Sequence, residues 1–147
     1  MHITKKNIFF IKKLYNYIKK NSLLEIPIAA LIIHNNIILC IKKNTNESNT
    51  PLNHAEILAI NEVINHHPKI NLSECILITS LEPCLMCTGA AIHANIKIIY
   101  YLCKSPEGGI QTKFNITCIT NISIIPILIY ENKIKKLIQL FFRYKRK

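Results

Sequence analysis

Two short segments carry side chains able to do chemistry together: Asn53-His54-Ala55-Glu56 and Leu81-Glu82-Pro83-Cys84-Leu85-Met86-Cys87. Cys84 and Cys87 are three residues apart, which on a helix puts both thiols on one side. Each segment opens a predicted helix, and the positive end of a helix favours thiolate over thiol. Zinc accepts thiolate and imidazole ligands, and a catalytic zinc site keeps its fourth position for water. His54, Cys84 and Cys87 therefore make a three-ligand set with one open place.

Glu56 is the more telling residue. Regular helix geometry does not bring positions i and i+2 to one face. His54 and Glu56 converge only at a helix start, the imidazole on the metal and the carboxylate beside the water. Two thiolates neutralise the zinc charge and make it a milder Lewis acid. A carboxylate that takes the water proton and passes it to a substrate nitrogen is then required. A structural zinc site has no use for that Glu. Such a site also needs a fourth protein ligand, and neither Cys75, Cys103, Cys118, His66, His67 nor His93 has finger-like spacing. Alone, Cys-x-x-Cys and His-x-Glu are weak signals; together with Pro83 they form the H-x-E…P-C-x-x-C pattern of zinc nucleobase deaminases.

The elements that must position these residues are legible in the apolar periodicity. Ile8, Ile11, Leu14, Tyr15 and Ile18 predict a first amphipathic helix. The apolar run 28–33, the His34-Asn35-Asn36 turn and the run 37–41 predict a hairpin. Residues 43–53 read as a loop. A helix from His54 to Pro68 follows, then a strand over 75–80. Pro83 stands where a first helical turn tolerates proline, and a helix through Ala90–Ile92 leads to a strand over 96–102. Residues 104–113 read as a loop, 122–130 hold a further strand, and Ile134, Leu137, Ile138, Phe141 and Tyr144 mark the last helix. The order α-β-β-α-β-α-β-β-α implies a sheet covered by helices on its faces.

At 147 residues the chain fits one domain over 1–147, with no repeat or linker. Half of it is hydrophobic, which excludes general disorder. Its 19 basic residues face 8 acidic ones, all Glu, for a net charge of +11. Thirteen of the basic residues lie within 1–20 and 133–147, where no acidic residue stands; this suits an anionic partner such as nucleic acid, above all in the aromatic-interleaved tail. No apolar run approaches the roughly 18 residues of a membrane span, and no signal peptide is read at the start. Only Cys84 and Cys87 pair closely among six cysteines, the usage of a reduced, cytoplasmic protein.

The segments His54–Ile57 and Ser80–His93 closely resemble those of the bacterial tRNA-specific adenosine deaminases, within the cytidine/deoxycytidylate deaminase superfamily. The likeness runs from about Phe9 to the end and includes Glu25–Ile28, the His34-Asn35-Asn36 turn and the tail 141–146. The resemblance implies a three-layer α/β/α sandwich, cytidine-deaminase-like, with a central mixed sheet of about five strands. It implies a homodimer, one zinc per subunit, and hydrolytic deamination of adenosine to inosine at the wobble position of a tRNA anticodon, an arginine tRNA being expected. Zinc-activated water would add at C6, Glu56 would shuttle protons, and ammonia would leave. By position, Asn44 corresponds to the Asn that contacts the target nucleoside. Phe142, Arg143, Lys145 and Arg146 fall in the tail that meets the anticodon loop, and His93 corresponds to a residue near the active site and subunit boundary. The chain departs from the pattern in a 44–54 loop one residue short, and in Lys104-Ser105-Pro106-Glu107-Gly108-Gly109, where the family has Arg-Asp. Two alternatives stand beside this reading: a deaminase of a free base, nucleoside or nucleotide, and a non-catalytic zinc-stabilised RNA-binding module.

Overall fold

The computed structural model describes residues 5–20, 26–45, 50–119 and 121–145. Its order is α1 (Lys5–Lys20), β1 (Ala29–His34), β2 (Ile37–Lys43), α2 (Ala55–His66), β3 (Ile76–Thr79), α3 (Leu85–His93), β4 (Ile98–Tyr101), β5 (Ser123–Pro126) and α4 (Glu131–Lys145), with short 3-10 turns at Leu72–Glu74 and Leu128–Tyr130. One five-stranded sheet runs β2-β1-β3-β4-β5. β1 is antiparallel to both β2 and β3, while β3, β4 and β5 are parallel, so the sheet is mixed as expected.

β1 lies inside the sheet, and its uninterrupted apolar sequence is buried on both faces. Its alternation sorts the core. Leu31 and Ile33 face the layer that holds Phe10, Ile11 and Leu14 of α1 and Ile134 of α4. Ala30 and Ile32 face Ala55, Ala59, Ile60 and Val63 of α2 and Ala91 of α3. Three layers result, α1 with α4 on one side and α2 with α3 on the other. Leu14 is wholly buried, a burial that contributes roughly 2 kcal/mol. The hairpin turns on Asn35 (φ 48°) and Asn36 (φ 62°), the left-handed pair that a two-residue hairpin requires.

Two expectations need correction. The last strand ends at Pro126 rather than 130: Ile127 N–H makes the final bond to Tyr101 O (2.7 Å), and the chain then curls into the 3-10 turn. There Tyr130 stacks on Tyr15 of α1 with centroids 4.4 Å apart. Pro83 also lies outside its helix, because Cys84 is the N-cap and Leu85 the first helical residue.

Candidate active site

The site forms at the carboxyl end of β3, where α2 and α3 begin, the usual place for a ligand in an open α/β sheet. His54 is the N-cap of α2, with extended backbone (φ −71°, ψ 148°), yet its side chain makes no capping bond. Asn44, buried at the end of β2, does the capping instead: its Oδ1 accepts from Ala55 N–H at 2.7 Å. The imidazole is thereby left to face α3. His54 Nδ1 lies 3.7 Å from Cys84 Sγ and 3.5 Å from Cys87 Sγ. Cys84 is the N-cap of α3, and its sulfur accepts from Cys87 N–H at 3.5 Å.

These donor atoms lie within 4.8 Å of one another, and among the described residues no fourth His, Cys, Asp or Glu joins them. Two sulfurs and a ring nitrogen at this spacing could hold a metal, and the chemistry of the set fits zinc. The Cys84 thiol is pulled down to about 4, first by its hydrogen bond with Cys87 and further by His54. Cys87 moves the other way, because its proton serves the Cys84 sulfur and its surroundings are dry and acidic. His54 is raised, chiefly by its bond to Cys84. A thiolate at Cys84 beside the His54 imidazole and the Cys87 sulfur is a donor set suited to a cation.

Glu56, in the first turn of α2, is buried. Its Oε1 accepts from the Thr79 hydroxyl at 3.0 Å, and its Oε2 lies 3.4 Å from Cys87 Sγ. Burial raises its pKa, against the pull of the hydrogen bonds to its own N–H, Thr79 and Cys87. A carboxyl so placed can carry a proton beside the three ligands. A cavity of about 220 Å³ opens here, lined by His54, Glu56 and Cys84 together with Asn44, Ile28, Leu81, Glu82, Ser105, Glu107 and Gly108.

Sequence reasoning missed Thr79 and Glu82. Glu82 is buried, and its carboxylate accepts from Ser105 N–H (3.1 Å), Gln111 N–H (2.7 Å), Thr112 N–H (2.7 Å) and the Thr112 hydroxyl. It ties the 104–113 loop over the cavity. The available signal was a lone charge beside Pro83-Cys84 in an otherwise apolar stretch, since a buried carboxylate demands donors.

Of the residues expected to touch substrate, Asn44 lines the cavity. His93 is exposed at the far end of α3 from the cysteines and does not line it. Phe142 and Arg143 border a separate hollow on α4 with Ile138 and Gln139. Lys145 sits over the Phe141 ring at 5.7 Å, and Arg146 lies outside the described residues.

Residues 4–103 match the cytidine and deoxycytidylate deaminase zinc-binding region. The chain belongs to that family. It is 40% identical over 88 residues to a tRNA-specific adenosine deaminase of Rickettsia felis, covering 58% of this chain and 61% of that protein. It is also 35% identical over 92 residues to a guanine deaminase of Bacillus subtilis, covering 60% of this chain and 59% of that one. The chain thus aligns with about three fifths of the length of these relatives. A solved structure from work on A-to-I editing by tRNA:A34 deaminases superposes with a TM-score of 0.75 at 25% identity, over 88% of this chain and 99% of the other.

Proposed function

We propose that residues 1–147 form one zinc-dependent deaminase domain that converts adenosine to inosine at the wobble position of a tRNA anticodon, with an arginine tRNA as substrate. The observation that carries this reading is the placement of Glu56, buried, 3.4 Å from the Cys87 sulfur and facing a cavity beside exactly three candidate ligands among the described residues. Its relatives named as tRNA-specific adenosine deaminases support the choice of adenosine in tRNA.

His54, Cys84 and Cys87 would hold one zinc, whose Lewis acidity lowers the pKa of a water. Glu56 would take a proton from a water whose oxygen bonds to C6 of the adenine. It would return that proton to N1, then take the proton of the new C6 hydroxyl and deliver it to the amino group, which leaves as ammonia as the C6 carbonyl forms. Thr79 fixes the carboxylate by holding Oε1. Asn44 orients His54 through the α2 cap and presents its remaining amide hydrogens to the nucleoside. Glu82 holds the loop that shuts water from the base. Phe142, Arg143, Lys145 and Arg146 would meet the anticodon loop, aromatic rings on splayed bases and cations on phosphates. His93 would lie at the boundary of a homodimer, and the protein would work in the cytoplasm. Among the described residues no helix is long and apolar enough to cross a membrane.

A second reading is deamination of a free purine base. It is favoured by the guanine deaminase relative and by Glu107, which is among the residues lining the cavity and would accept N–H groups of a base. One assay separates the two: incubation with an arginine tRNA anticodon stem-loop carrying a wobble adenosine, and in parallel with free guanine. Inosine in the RNA supports the first reading; xanthine with intact RNA supports the second.

A further inference from the structure

The cations of the molecule gather on one layer. α1 carries six lysines and no acidic residue, and α4 carries five cations against Glu131. Glu131 is committed to Lys135 at 3.0 Å. Lys133 is held differently: its ammonium lies 5.8 Å from the ring of Tyr15 on α1 and 5.3 Å from that of Tyr130, and the two rings are stacked. Aromatic rings fix a cation without cancelling its charge. Lys136 is exposed one turn further along α4, and Lys12 is exposed one turn before Tyr15 on α1. We infer that Lys12, Lys133 and Lys136 form a phosphate-binding rim for the RNA strand that leads to the target nucleoside, an inference that rests on the RNA substrate proposed above.

Stability gives these charges no purpose. Lys133 stands in the first turn of α4, where the positive end of the helix disfavours a cation by about 0.3–1 kcal/mol. Among the described residues no carboxylate pairs with Lys12, Lys133 or Lys136. The apolar stripes of both helices are turned into the core, with Phe10, Ile11, Leu14, Ile134 and Phe141 buried. The rim therefore offers charge rather than an apolar face for a bilayer. Exposed ammonium groups in a row complement a phosphate backbone, which gives up a counterion for each charge neutralised.

Position ties the rim to the catalytic cavity. β3, β4 and β5 are parallel, so their carboxyl ends lie along one edge of the sheet. The cavity opens at that end of β3, and α4 starts just past that end of β5. A hydrogen bond joins the two places. Ser105 lines the cavity, and the N–H of its neighbour Lys104 donates to Glu131 Oε1 at 3.5 Å. Lys133 follows Glu131 within the same helical turn, whereas Arg143 lies about 15 Å further along the helix. A strand leaving the cavity over Lys104 thus meets the start of α4 before it meets the tail.

The test is anisotropy of a labelled anticodon stem-loop over a range of salt, with inosine formation and zinc content measured alongside. Lys133→Gln/Lys136→Gln removes two charges at exposed helical positions that glutamine suits. Lys69→Gln/Lys97→Gln is the control: it removes two exposed charges just ahead of β3 and β4, at the opposite edge of the sheet. The rim pair should bind RNA about tenfold more weakly and lower the salt slope by about two, and Lys12→Gln should lower it by about one. The control should bind like the parent. Equal losses for the two pairs would mean that net charge alone is at work, and the rim falls. If the rim pair weakens binding but the parent makes no inosine, the rim stands and the deamination reading falls. If inosine forms and the rim pair binds like the parent, the rim falls alone. Capture of the parent but not the rim pair by phosphatidylserine vesicles, with RNA binding unchanged, overturns it in favour of a lipid surface. A parent that binds no RNA overturns it as well; should the double variant not fold, Lys12→Gln against Lys69→Gln decides.

Discussion

A Cβ placed on Gly109 would overlap the carboxyl group of Glu82. The loop therefore passes against a buried carboxylate with no room for a side chain, and three backbone N–H groups and a hydroxyl close around it. Gly109→Ala must displace the Glu82 carboxylate from the donors that hold it. Breaking one or two charged hydrogen bonds costs about 2–4 kcal/mol, and thermal denaturation should show a melting temperature lower by roughly 5–15 °C. Glu82→Gln should lower it too, while leaving zinc bound. An unchanged melt for both variants would contradict the role given to Glu82.

Asn44 has two duties that a single variant separates. Asn44→Ala removes the α2 cap, with a stability loss of about 1 kcal/mol, whereas Asn44→Asp keeps an acceptor for Ala55 N–H and loses the amide hydrogens. Chemical denaturation should therefore show Asp near the parent and Ala below it, while KM for RNA rises in both. Equal stability for all three chains would show that Ala55 has no need of this cap.

Glu56→Gln keeps the shape of the side chain and removes the proton carrier. We expect kcat to fall by about 10³, with metal content unchanged. Thr79→Val should cost less, about tenfold, because it frees Glu56 Oε1 without removing the carboxyl. A Glu56→Gln chain that turns over at the parent rate removes Glu56 from the chemistry.

Two thiols outside the candidate metal cluster set an alkaline limit. Burial raises Cys40 and Cys103 from 9.0 to about 11. Between those values the folded chain keeps protons that the unfolded chain has lost. The stability they contribute is full below pH 9 and is lost as pH rises through 11, roughly 2 kcal/mol for each thiol. Denaturation at pH 8 and pH 11 should show a smaller loss for Cys40→Ala/Cys103→Ala than for the parent. Parallel losses would mean that other groups govern the alkaline limit.

Much of this was legible because periodicity and ligand chemistry are local. The grouping of His54, Cys84 and Cys87, with Glu56 beside them, was expected from type and spacing, since candidate metal ligands are residues of these types and helix starts must bring them together. The order of helices and strands followed from apolar patterns of period two and 3.6. Glu82, Thr79 and the capping duty of Asn44 were not legible: their partners lie 23, 23 and 11 residues away at the nearest, and only the tertiary fold makes the contact. Pro126 stopped β5 earlier than its apolar run implied, because after it the chain turns to stack Tyr130 on Tyr15. The tail residues Phe142 and Arg143 fall on α4, away from the catalytic cavity, and nothing in a helical repeat tells which partner an exposed face meets.

The central claim is a metal held by three side chains with a place left beside Glu56. Zinc K-edge absorption on the purified chain reads that directly. The account predicts one zinc per chain, with two sulfur neighbours, one imidazole nitrogen and a light oxygen scatterer. A third sulfur, a second imidazole, or no metal after zinc loading would contradict it.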